Sequence, residues 1–270
     1  MASEQAAANF MVTVLAPRID GLLVRWEGDG TDDHSALPGS PLTGDDRWTR
    51  PNHVSHAAWL SIGHALDNLG AIRSLMVVKT GDEVQVVTRP YAVYPLIRAA
   101  MENACAALWL LGPLDRPGRV TRRTRMVVTD ADNRDQAMRK ADPSTSPILD
   151  KQKARARQLA EKHGLDPVEC VRPVRYREIV RGAHGVIGLD PGNGEAIWRL
   201  LSGLTHGDSW ASHTVTDRDE VKLTDDEDVF TIRATSSVTN VVNFVGIATS
   251  LTSKALSLFD DRRRPLFPGG

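Results

Sequence analysis

Apolar residues recur three and four positions apart along several long stretches, the spacing that turns one face of an α-helix inward. From His53 to Met76, HVSHAAWLSIGHALDNLGAIRSLM has this period, and Pro51 and Asn52 ahead of it supply a start signal. YPLIRAAMENACAALWLLG has Pro95 near its first turn and Gly112 just past its end, and it is apolar nearly all round. Such a helix belongs at the centre of a bundle, contacted on several sides.

Residues 115 to 141 predict an arginine-rich helix with Val120, Thr124, Val127, Val128 and Ala131 as its inward stripe, ended by Asp142-Pro143. DKQKARARQLAEKHG predicts a short polar helix closed by Gly164, and residues 168 to 183 another, interrupted by Pro173. DPGNGEAIWRLLSGLTHG offers Asp190 or Asn193 as a cap and Gly207 as a stop. VTNVVNFVGIATSLTSKALSLF reads as the last long helix. Two β-branched stretches, VVKTGDEVQVV and VKLTDDEDVFTIR, read as small hairpins. The fold class expected is therefore mainly α, a helical bundle with small β-hairpin or loop insertions. Residues 1 to 50, with the run EGDGTDDHSALPGSPLTGDD, are expected to form an irregular arm, 51 to 262 the bundle, and 263 to 270 a flexible tail.

Composition narrows the setting. A chain of 270 residues, 41% hydrophobic, can bury a substantial core, and a net charge of -1 means that attraction to nucleic acid needs a local patch. Cys105 and Cys170 are too few for a disulfide framework and lack zinc spacing, which fits a reducing cytoplasm. The amino-terminal stretch has no basic region followed by an apolar core, so no signal peptide is expected. Ala234 to Ser253 has the length of a membrane span, but half of it is Ser, Thr or Asn. That polarity suits a helix packed among others rather than one in lipid, and no membrane partner is expected.

Arg199 and His206 carry the most pointed chemistry. Seven positions at about 100° each return to nearly the same face, about 10 Å along the axis. Glu195 and Ser202 share that face, while Ile197, Leu200, Leu201 and Leu204 occupy the other. Arginine grips phosphate and histidine moves protons near neutral pH. Equally, Glu195 and Arg199 make an i,i+4 pair, and a histidine in the last turn complements the helix dipole.

The segment RLLSGLTH resembles the arginine, six-residue gap and histidine signature of the HEPN (higher eukaryotes and prokaryotes nucleotide-binding) helical domains. YPLIRAAMENACAALWLL resembles the central helix of bacterial proteins placed near that group, whose late SG-x-x-HG segment matches Ser202, Gly203, His206 and Gly207. The resemblance covers roughly residues 50 to 260. It implies a homodimer that cleaves RNA without metal or cofactor, the ribose 2′-hydroxyl attacking the adjacent phosphate, with His206 as acid or base and Arg199 as phosphate stabiliser. It further implies a place in bacterial defence or a toxin-antitoxin system, with an antitoxin or other protein as partner. Other members are non-catalytic binding modules, and Leu200 stands where many members carry a polar residue.

Three further sets complete the reading. Arg98 and Glu102, with Asn103, interrupt the apolar central helix; burial requires the charges to be paired, or they support Arg199 and His206 from behind. RPGRVTRRTR places Arg119, Arg122 and Arg123 among five arginines without an acid, a candidate phosphate-binding face, or a solvated one paired with the acidic TDDED loop. His53, His56, His64 and Asp67 fall within an arc of about 80° and offer a rival, metal-dependent reading. His53 and Asp67 lie about 20 Å apart along the axis, so a second helix would have to contribute a ligand. Walker, dinucleotide-binding, nucleophile-elbow and kinase motifs are absent from the sequence.

Overall fold

The computed structural model describes residues 2–28, 34–89, 91–223 and 230–265. The fold is mainly α-helical with two short antiparallel hairpins, as the periodicity predicts. In chain order the elements are α1 (Ala2–Phe10), a π-helical turn (Met11–Leu15), α2 (Ala16–Glu27), α3 (Pro41–Thr49), α4 (Val54–Met76), β1 (Val77–Thr80), β2 (Glu83–Val86), α5 (Val93–Leu111) and α6 (Arg116–Ala141). There follow α7 (Leu149–His163), α8 (Pro167–Val171), α9 (Tyr176–Val186), α10 (Pro191–His206), α11 (Ser209–Val215), β3 (Thr216–Leu223), β4 (Phe230–Ser236) and α12 (Val238–Arg263). Strands β1 and β2 pair from Val77 with Val86 to Thr80 with Glu83, and β3 pairs with β4 from Thr216 with Ser236 to Leu223 with Phe230. The acidic TDDED turn of the second hairpin and residues 266 to 270 of the expected tail lie outside the described residues.

Residues 1 to 50 correct the expectation of an irregular arm, because α1, α2 and α3 lie within them. Met11, Leu15, Ile19 and Leu22 recur at helical spacing and are buried, and the alanine-rich start has high helix propensity. The π-helical turn falls just ahead of Pro17, which has no amide hydrogen and whose ring crowds the preceding turn; a wider turn accommodates both. Helix α3 starts where Ser40 accepts a hydrogen bond from the Thr43 amide and Pro41 takes the first helical position.

The chain divides into two compact units, each made of three separated stretches. The first unit comprises Met1–Asp29, Gly63–Ala104 and Gly192–Ser253. Its core includes Leu66, Leu69 and Ile72 of α4, Ile97, Met101 and Ala104 of α5, Leu201 and Leu204 of α10, and Val241, Val245 and Ala248 of α12. Glu4 caps α12 from the opposite end of the chain, accepting from the amides of Val238 (2.6 Å) and Thr239 (3.3 Å) and from the hydroxyls of Ser237 and Thr239. Burial opposes the charge on Glu4, yet these donors outweigh it and hold the carboxyl below its usual range.

The second unit comprises Gly30–Ile62, Cys105–Pro191 and Lys254–Gly270. Its core includes the apolar end of α5 from Cys105 to Leu111, with Leu42, Val54, Val120, Val128, Ala160, Val180 and Phe259. Asp135 of α6 caps α7, accepting from the amides of Ile148 and Leu149 at 2.8 Å each.

Among the described residues two stretches, Ser3–Glu27 and Val238–Arg263, are long and apolar enough to cross a membrane. Within α12 the buried hydroxyls of Thr249 and Thr252 are satisfied by the carbonyls of Val245 and Ala248.

Candidate functional site

Helix α10 places the sequence-nominated pair. Its apolar side faces the core through Leu201 and Leu204, which leaves Arg199 and His206 exposed on the other side. The helix ends at Gly207, whose φ of +78° a side-chain-bearing residue rarely adopts. One turn earlier, Gly203 lets α11 approach closely: a Cβ there would stand 2.7 Å from that of Ala211 and 3.0 Å from the Trp210 ring.

Arg199 is held from its own helix. Nε and Nη2 donate to Oε1 of Glu195 at 2.9 and 2.8 Å, and the side chains are 56% and 11% exposed respectively. A largely buried carboxylate thus fixes a guanidinium that stands in solvent. Among the described residues Nη1 of Arg199 donates to no protein group, and the His206 imidazole has no hydrogen-bond partner.

Arg98, Glu102 and Arg199 are brought together by Trp198. Glu102 Oε1 accepts from Arg98 Nε at 2.9 Å and from the Trp198 indole nitrogen at 2.6 Å. The guanidinium carbons of Arg98 and Arg199 lie 6.0 and 5.9 Å from the centre of the Trp198 ring. The expected ion pair between Arg98 and Glu102 is therefore formed, and it also anchors the residue next to Arg199. Asn103 does not join this group; its amide donates to the Ala99 carbonyl of its own helix. Ser202 lies half-buried on α10. The spacing of charged residues gave no sign of Trp198, which the indole-to-carboxylate bond recruits from one position off the expected face.

The arginines of α6 do not form an open basic face. Arg119, nominated for nucleic acid, is buried against Asp45, with Nε to Oδ2 at 2.6 Å and Nη2 to Oδ1 at 3.0 Å. Burial pushes the Asp45 carboxyl up, against the pull of Arg119 and Arg116. Arg122 donates to the Trp109 carbonyl and lies over the Trp109 ring, while Arg125 takes Glu178 in a two-pronged contact at 2.6 and 2.7 Å. Arg123 donates through Nε to the carbonyls of Asn52 and His53. The reason is compositional: Asp45, Glu169 and Glu178 lie far along the chain from the basic run, so a local count of charges could not foresee their pairing.

Of the metal set, His53 and His56 meet, Nδ1 to Nε2 at 3.4 Å, whereas His64 and Asp67 are exposed. Among the described residues no group of three or more His, Cys, Asp or Glu is placed to hold a metal ion. No protein-family model, curated protein or solved structure matches the chain.

Proposed function

We propose that this chain is an RNA-directed protein of the HEPN type, a metal-independent endoribonuclease that works as a homodimer in the bacterial cytoplasm. The observation that carries the reading is the exposed pairing of Arg199 and His206 on one side of α10, with Arg199 fixed by the buried Glu195. Fixing a guanidinium in advance lowers the entropic cost of gripping a phosphate. In the reaction, one imidazole takes the proton of the ribose 2′-hydroxyl as its oxygen attacks the neighbouring phosphorus. The bond to the 5′-oxygen breaks, a second imidazole protonates that oxygen, and a 2′,3′-cyclic phosphate remains. A single helix spaces its arginine and histidine by about 10 Å, long for one phosphodiester, so a second copy supplies the complementary pair.

A second reading, a non-catalytic binding module for a protein partner such as an antitoxin, is favoured by Glu195 already neutralising Arg199. End-labelled RNA incubated in EDTA with wild type and with His206→Ala separates the two. Cleavage by wild type alone, leaving a cyclic phosphate, is the expected result. Absence of cleavage, or equal cleavage by both proteins, would sink the ribonuclease reading in favour of the module.

A further inference from the structure

The second unit contains a cavity of about 290 Å³ whose wall is basic. Arg50 enters it from the end of α3, Arg123 from α6, and Arg155, Lys162 and His163 from α7. Among the described residues no aspartate or glutamate lines it.

Arg123 is the telling residue. Four arginines of α6 point into the fold: Arg119 and Arg125 meet carboxylates in two-pronged contacts, and Arg122 donates to the Trp109 carbonyl and lies over the Trp109 ring. Arg123 instead spends its Nε on the backbone carbonyls of Asn52 and His53, at 3.2 and 3.1 Å, and among the described residues its two terminal nitrogens donate to no protein group. Burial depresses its pKa, with Asp130 and Asp46 acting only from a distance to raise it. A half-buried guanidinium that faces a pocket without a contacting carboxylate is placed to take an anion as its partner. His163 reports the same field, its pKa lowered by burial, Lys162 and Arg116.

The cavity also indicates what its ligand lacks. The Trp48 ring is already occupied by His163, stacked at 4.0 Å and 8°, and by the Arg116 guanidinium at 5.3 Å. A nucleobase stacking on Trp48 would compete with these neighbours, so recognition is assigned to charge and hydrogen bonding rather than to ring stacking. Amide side chains from Asn52, Gln152 and Gln158 complete the polar wall and suit hydroxyl groups.

We propose that this cavity binds a small organic phosphate of sugar-phosphate size, its phosphoryl oxygens held by Arg123 and Arg155, its hydroxyls by the amides, with Lys162 about 10 Å further along α7 adding positive charge to the wall. The assignment is independent of the ribonuclease reading, since it uses none of the residues on α10.

Calorimetric titration of the full chain with ribose 5-phosphate, inorganic phosphate and ribose, at constant ionic strength, tests it. Saturable binding of one ribose 5-phosphate per chain is expected, tighter than inorganic phosphate, with no binding of ribose. Arg155→Ala and Lys162→Ala, both at exposed positions, are each expected to weaken it about tenfold. Arg157→Ala removes the same charge from the same helix outside the cavity and is expected to leave the affinity unchanged. Absence of saturable binding overturns the proposal, as does an equal loss in Arg157→Ala. Inorganic phosphate binding as tightly as the sugar phosphate overturns the assignment to an organic ligand.

Discussion

Replacing Arg119 by alanine tests whether this arginine belongs to the fold rather than to a nucleic-acid surface. The side chain is 3% exposed and makes four hydrogen bonds: two to Asp45 at 2.6 and 3.0 Å, and one each to the carbonyls of Pro113 and Leu114 at 2.9 Å. Truncation leaves the fully buried Asp45 carboxylate with Arg116, whose Nε stands 3.4 Å away on a side chain 40% exposed. Breaking a buried ion pair from one side costs about 3–5 kcal/mol. At about 2–4 °C per kcal/mol for a chain of this size, the melting temperature falls by about 6–20 °C. Differential scanning calorimetry reads this directly. The double variant Arg119→Met/Asp45→Leu removes both charges and fills the space, so it recovers most of the loss. A melting temperature within about 2 °C of wild type for Arg119→Ala, or a double variant as unstable as the two single changes summed, would refute the reasoning.

Two further outcomes follow from the same kind of geometry. Hydrogen bonds from Arg125 hold the Glu178 carboxyl below the ordinary glutamate value of 4.5, so near that pH the unfolded chain takes up a proton that the folded chain resists. The stability from this contact is present above pH 4.5 and lost as the pH falls through the lowered folded value; urea titrations from pH 7 to 3 should show Glu178→Gln flattening that acid limb. Glu102→Gln removes the charge that both Arg98 and Trp198 bind, and a loss of about 1–3 kcal/mol with a weakened near-ultraviolet tryptophan signal is expected; an unchanged melting curve and spectrum would count against the role assigned to Glu102.

Much of the helical order was legible because its cause is local. The 3.6-residue period marked α4, α5, α6 and α12, and Gly164 and Gly207 closed their helices where the sequence placed stops. The helices of the first 50 residues are less legible because the loop-like Gly, Pro and Asp-rich run stands beside the short stripe of Met11, Leu15, Ile19 and Leu22. In the candidate site, the i,i+4 pairs of Arg98 with Glu102 and Arg199 with Glu195 could be read from spacing, because both partners share a helix. Pairings across the chain could not. Trp198 with Glu102, Arg119 with Asp45 and the convergence of Arg50, Arg123 and Arg155 each join residues tens of positions apart, and no local pattern encodes them.

The interleaved make-up of the two units bears on how the chain can be made. The last stretch of each unit includes part of α12, and that helix is capped by Glu4. During vectorial synthesis on a ribosome, neither unit can close until α12 has left the exit tunnel. Until then Trp59 of α4 and Tyr94 of α5 lack the Phe259 and Phe244 rings that the last helix supplies. Cutting the gene at any single point between residues 30 and 253 would separate parts of both units.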